Sequence, residues 1–145
     1  MAYGRPVMNY AYVLTPFLAW LVAGSMKFMI NSIKARRLAF SLIGYGGLPS
    51  NHSAIVSSMA ALIALKEGLD HPAFGVAFTL ACIVVLDANS LRRQVGNHAQ
   101  TINRLAAKDA SHRPLRERMG HTRLEISAGI LVGIVIAIAV KKLLG

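Results

Sequence analysis

Two short stretches carry residue types suited to phosphate-ester chemistry. Gly46-Gly47-Leu48-Pro49-Ser50-Asn51-His52-Ser53 is a turn running into a helix start, and it puts His52 at that start. Gly120-His121-Thr122-Arg123-Leu124-Glu125 repeats the arrangement about seventy residues later with His121. His121 and Glu125 are four apart and so share one helix face. A carboxylate beneath an imidazole fixes its tautomer and stabilises its protonated form, which suits a histidine acting as nucleophile or base. His52 lies where free backbone N–H groups and the helix dipole favour a bound anion. A protonatable imidazole there can give its proton to a departing alkoxide. Arginine and lysine would complete such a site, because phosphoryl transfer depends mainly on positioning and on stabilising the equatorial oxygens.

These turns must be held by apolar elements. The chain has 145 residues, enough for a single domain (1–145), and 54% of them are hydrophobic while only 15% are charged. A soluble domain carries about 25% charged residues. Together with a mean hydropathy of +0.49, this predicts an all-α, integral membrane helical bundle. Four apolar segments stand out, near 10–33, 53–65, 73–86 and 126–140. A spanning helix needs about 20 apolar residues, so only the first suffices without polar flanks. The others must extend into their neighbours to make about four spanning helices. No cleavable signal peptide is read at the start of the chain. The single Cys82 lies inside an apolar run and excludes an intramolecular disulfide.

Charge placement orients the bundle. Sixteen Lys and Arg stand against six Asp and Glu, for a net charge of +10. Lys34, Arg36 and Arg37 lie between the first and second segments. Arg92, Arg93, Arg104, Lys108, Arg113, Arg116, Arg118 and Arg123 lie between the third and fourth. The opposite side holds Arg5, Lys66, Lys141 and Lys142. By the positive-inside rule, the two basic connections and both histidine turns face the cytoplasm. The longer connection predicts a helical cytoplasmic element over 91–107, broken near 110–114. Ser50 or Asn51 can cap the helix after the first turn, and Pro72 suits a first helical position. Gly129 and Gly133 form a small-xxx-small pair compatible with close helix packing or with a homodimer.

Pro49-Ser50-Asn51-His52 resembles the Pro-Ser-Gly-His element of the type-2 phosphatidic acid phosphatase and vanadium-dependent haloperoxidase superfamily. His121-Thr122-Arg123-Leu124-Glu125 resembles its third element, a histidine followed four residues later by an acid. With Asp87-Ala88-Asn89-Ser90-Leu91-Arg92-Arg93 between them, the three motifs in order resemble a small divergent branch of that superfamily, from about Lys27 to Ile136. The resemblance implies a phosphohistidine formed on His121, Glu125 orienting it, and His52 as general acid. It implies that Lys27, Arg36, Arg37, Ser50 and Arg92 or Arg93 bind phosphoryl oxygens, that no metal or cofactor is needed, and that vanadate can occupy the phosphate position. Asn51 stands for the usual Gly, and Glu125 for the usual Asp. Lys27 to Arg36 is longer than the family spacing, and Leu115 stands six before His121 where the family has Arg. Arg92 does stand six before His98, but that alignment puts Ile102 in place of the acid.

The expectation is a membrane lipid phosphate phosphatase in a bacterial inner membrane, or a plastid membrane, with a cytoplasm-facing site. Its substrate would be phosphatidylglycerophosphate, phosphatidate or an isoprenoid phosphate. The alternative is a non-catalytic membrane protein binding anionic lipid or phosphate in a relic pocket. A third reading, a soluble basic protein binding nucleic acid, is disfavoured because the cations follow the topology rather than one helix face and no nucleic-acid motif is present. Of the other histidines, His71 and His112 read as loop residues. Lys27 reads equally as a site cation or a side chain snorkelling to the interface. Asp87 reads as an ion-pair partner of Arg92.

Overall fold

The computed structural model describes residues 10–38, 47–109 and 111–144. They form α1 (Ala11–Ala35), α2 (Asn51–Lys66), α3 (Pro72–Asn89), α4 (Leu91–Leu105) and α5 (Arg123–Leu144), with no strand among the described residues. Three helical runs are long and apolar enough to cross a membrane: Ala11–Ala35, Pro72–Leu105 and Arg123–Leu144. The molecule is a helical membrane bundle. The second apolar segment forms α2, whose 16 residues span about 24 Å at 1.5 Å per residue, short of a hydrocarbon core of about 30 Å.

That short helix is the centre of the bundle. α2 packs against α1, α3 and α5, most extensively against α5, whereas α3 and α5 touch only marginally; α4 continues from α3 and lies against the return segment at Glu117 and Met119. Small residues let the backbones approach. On α5 the buried positions are Ile126, Gly129, Gly133, Ala137 and Val140; on α2 they include Ser53, Ala54 and Ser58. A Cβ at Gly129 would collide with the Ser50 carbonyl oxygen, and one at Gly133 with Ser57 Oγ and the Ala54 carbonyl. The small-xxx-small pair is therefore filled by α2 of the same chain. The outward faces of α1 and α3 present large apolar residues such as Phe17, Trp20, Phe78 and Ile83, as a lipid-facing surface requires.

Capping fixes the ends. Ser50 caps α2, its hydroxyl accepting from the Ser53 N–H at 3.4 Å. Pro72 opens α3, and His71, read from sequence as a loop residue, caps it by accepting from the Ala73 N–H at 3.2 Å. In the last turn of α4, Asn103 ties down the return segment: its amide donates to the Leu115 carbonyl and accepts from the Leu115 N–H at 2.8 and 2.7 Å. The C-terminal end of α1, the N-termini of α2 and α5, and the α3–α4 junction meet at one end of the bundle. The opposite end is closed by Tyr12 against Glu67 and by Lys141 Nζ donating to the Leu65 carbonyl at 2.7 Å.

Candidate active site

Backbone hydrogen bonds join the His52 turn to the start of α5 and the His121 turn to α3. The Ser50 N–H donates to the Glu125 carbonyl at 2.8 Å, and the His121 N–H to the Ala88 carbonyl at 3.0 Å. Gly120 enables the second contact. Its φ of +89° is left-handed, and a Cβ there would press on the Arg93 N at 3.2 Å. Gly47, with φ +151°, likewise brings its chain against Asn31 and the Lys27 stem.

The start of α5 is a capping box, a pattern already written in Thr122-x-x-Glu125 but not read from it. Glu125 N–H donates to Thr122 Oγ1 at 3.2 Å, and the Thr122 N–H donates back to Glu125 Oε2 at 2.9 Å. The same Oε2 lies 3.2 Å from His121 Nδ1. An ionised carboxylate only accepts, so this bond puts the neutral imidazole's proton on Nδ1 and leaves Nε2 with a free lone pair. The His121 side chain is 8% exposed and that of Glu125 17%. Burial pushes the His121 pKa below its ordinary 6.5, partly offset by the hydrogen bond to Glu125. At neutral pH His121 is therefore an uncharged, oriented base.

His52 stands opposite, its ring centroid 6.4 Å from that of His121. Arg92 Nη2 lies 3.4 Å from His52 Nε2, and Arg92 Nε lies 3.3 Å from Asp87 Oδ2. The Asp87–Arg92 pair read from the sequence is thus formed. Because a guanidinium only donates, Nε2 of His52 is the acceptor in this arrangement. Lys27 completes the group, within electrostatic reach of Glu125, His52 and His121.

Lys27, His52, Arg92, His121 and Glu125 therefore come together from four elements and the turn before α5. Other residues expected in the site lie elsewhere. Arg36 and Arg37 are exposed beyond the end of α1, where Arg36 adopts φ +50° as the helix's C-cap. Arg93 meets the Gly120 turn through its backbone, and its side chain is exposed. The Ser50 hydroxyl is fully buried and spent on the cap and on Ser53 Oγ at 3.0 Å. His98 is exposed on α4. Among the described residues no three His, Cys, Asp or Glu side chains converge on a point where a metal could bind.

A family model described as the Divergent PAP2 family matches residues 8–136. The chain belongs to that family. As a Divergent PAP2 protein it is similar to YuiD of Bacillus subtilis (strain 168), named an uncharacterized membrane protein. The two are 33% identical over 143 residues, covering 87% of this chain and 90% of that one. No solved structure matches the chain.

Proposed function

We propose that this protein is a lipid phosphate phosphatase that hydrolyses a phosphomonoester through a phosphohistidine. The observation that carries the proposal is the facing pair of imidazoles, 6.4 Å apart, one with a carboxylate on Nδ1 and the other beside an arginine. Lys27 and Arg92 hold the phosphoryl oxygens. The lone pair of His121 Nε2 attacks phosphorus, and Glu125 stabilises the imidazolium that forms as the N–P bond is made. The P–O bond to the leaving alcohol breaks, and His52 gives its proton to that oxygen. Water then attacks phosphorus, His52 takes a proton from it, and the N–P bond breaks to release phosphate. His52 must be protonated for the first step, whereas Arg92 occupies its Nε2 in the free site. A bound phosphate dianion draws the guanidinium to its own oxygens and frees Nε2 for a proton.

Phosphatidylglycerophosphate, phosphatidate and isoprenoid phosphates are the substrates to test, at the cytoplasmic face of a bacterial membrane. The second reading, phosphate or anionic-lipid binding without turnover, is favoured by the position of Arg36 and Arg37. Their exposure beyond α1 leaves Lys27 and Arg92 as the cations at the histidine pair. Phosphate release by purified protein in excess EDTA separates the two readings. Turnover inhibited by vanadate and abolished in both His52→Ala and His121→Ala supports catalysis. A folded protein that binds phosphate and releases none from any of these lipids supports the second reading.

A further inference from the structure

The marginal contact between α3 and α5 leaves a groove whose floor is α2, with a volume of about 370 Å³. Its upper end is formed by Ser57, Val85 and Ile130. Ser57 and Ile130 each lie five residues beyond a site residue, His52 and Glu125, or about 7.5 Å along their helices. Val85 is three residues before Ala88, whose carbonyl holds the His121 turn. The groove thus begins about a turn below the histidine pair. Its far end is formed by Phe74 and Phe78, stacked with centroids 5.7 Å apart. From residue 74 to residue 85 it follows α3 for about 16 Å, ending three residues from the His71 cap at the other end of the bundle.

The lining is hydrocarbon, with the Cys82 thiol and the Ser57 hydroxyl as exceptions, and that hydroxyl already donates to the Ser53 carbonyl at 2.6 Å. Apart from the weakly donating Cys82 thiol, no donor in the lining is left to recognise a polar ligand, whereas cations stand just above. A molecule matching both has an anionic head and one hydrocarbon tail. We propose that this groove seats a single chain of the substrate lipid, holding its phosphate at the histidine pair, a proposal that rests on the phosphatase reading. The chain follows the groove toward the stacked phenylalanines. What separates this slot from ordinary lipid contact is that it begins about a turn from the cationic cluster.

Cys82, the only cysteine in the chain, reports on the groove from within. The rate of its modification by N-ethylmaleimide is measured in detergent with hexadecyl phosphate, butyl phosphate or hexadecanol. At ten times its dissociation constant, hexadecyl phosphate is expected to slow modification about tenfold. Butyl phosphate and hexadecanol at the same concentration are expected to change it little, and Arg92→Ala to remove the protection. Equal protection by hexadecanol, or protection that survives Arg92→Ala, shows that bulk lipid fills the groove and overturns the proposal. Ala60→Trp, which fills the groove from α2, is expected to lower the turnover of hexadecyl phosphate relative to butyl phosphate. An unchanged ratio in a folded variant also overturns it. Protection without phosphate release from the wild type leaves the groove standing and removes the catalytic reading. Release of phosphate without chain-dependent protection does the reverse.

Discussion

At the scale of single residues, Glu125 serves two neighbours with one oxygen, capping α5 through the Thr122 N–H and orienting His121 through Nδ1. Substitutions separate the roles. Gln fills the same place in a capping box but carries no charge to stabilise an imidazolium. Glu125→Gln is therefore expected to leave thermal stability nearly unchanged and to lower turnover by about 10²- to 10⁴-fold, read from kcat on a lipid phosphate. Thr122→Ala is expected to do the opposite, costing about 1 kcal/mol of stability, read from thermal unfolding, with a smaller effect on kcat. The pH profile follows from the His121 pKa, held below 6.5 by burial despite Glu125. The proposed nucleophile must be neutral, so the acid limb of kcat/KM is expected to have its midpoint below pH 6.5. In Glu125→Gln the upward pull of the carboxylate is gone, and the acid limb moves to still lower pH. Stability carries the same sign. The unfolded chain takes up the His121 proton first, so this contribution is complete above pH 6.5 and is lost as pH falls through the folded pKa. Arg92 and Arg93 could not be told apart in the sequence, because neighbours on a helix point about 100° apart and either could face the histidines. The structure turns Arg92 inward because Asp87 anchors it.

At the scale of elements, turn chemistry was the most legible feature. The Pro49-Ser50 turn and Gly120 mark the two helix starts; the backbone bond from Ser50 to Glu125 joins them, and that from His121 ties the second to α3. Sequence could not say what would press on Gly129 and Gly133, since a small-xxx-small stripe serves an intramolecular neighbour as well as a second copy. The neighbour is α2, so these glycines belong to the same contact that sets the site. Gly133→Ala puts a methyl group against Ser57 Oγ and the Ala54 carbonyl, and the backbone cannot yield as a flexible side chain would. A loss of about 1–3 kcal/mol is expected, together with reduced turnover as the His52 and His121 turns separate. Gly75 on α3 is the matched control, with nothing within 4 Å of an added Cβ. Gly75→Ala is expected to raise stability by about 0.5–1 kcal/mol. Thermal unfolding of both variants in detergent reads the contrast.

At the scale of the whole molecule, the site end of the bundle is also its basic end. Arg92, Arg93, Arg104, Lys108, Arg113, Arg116, Arg118 and Arg123 gather on or beside α4 and the segment that returns to α5. α4 meets no transmembrane helix but α3, from which it continues, so this end extends beyond the bundle as a helical projection, in line with the helical element expected over 91–107. Cations resist translocation, so the proposed phosphatase is expected to act on lipid phosphates of the cytoplasmic leaflet. Ser50 is fully buried and unsuited to reporting its side, whereas Ser111 on the basic connection and Asp70 on the opposite turn are exposed. In a Cys82→Ser background, Ser111→Cys is expected to react with a membrane-impermeant maleimide only after the cells are opened, and Asp70→Cys in intact cells. The reverse pattern would place the histidine pair on the outer leaflet, where the positive-inside argument fails and the substrate must be a lipid phosphate that has already crossed the membrane.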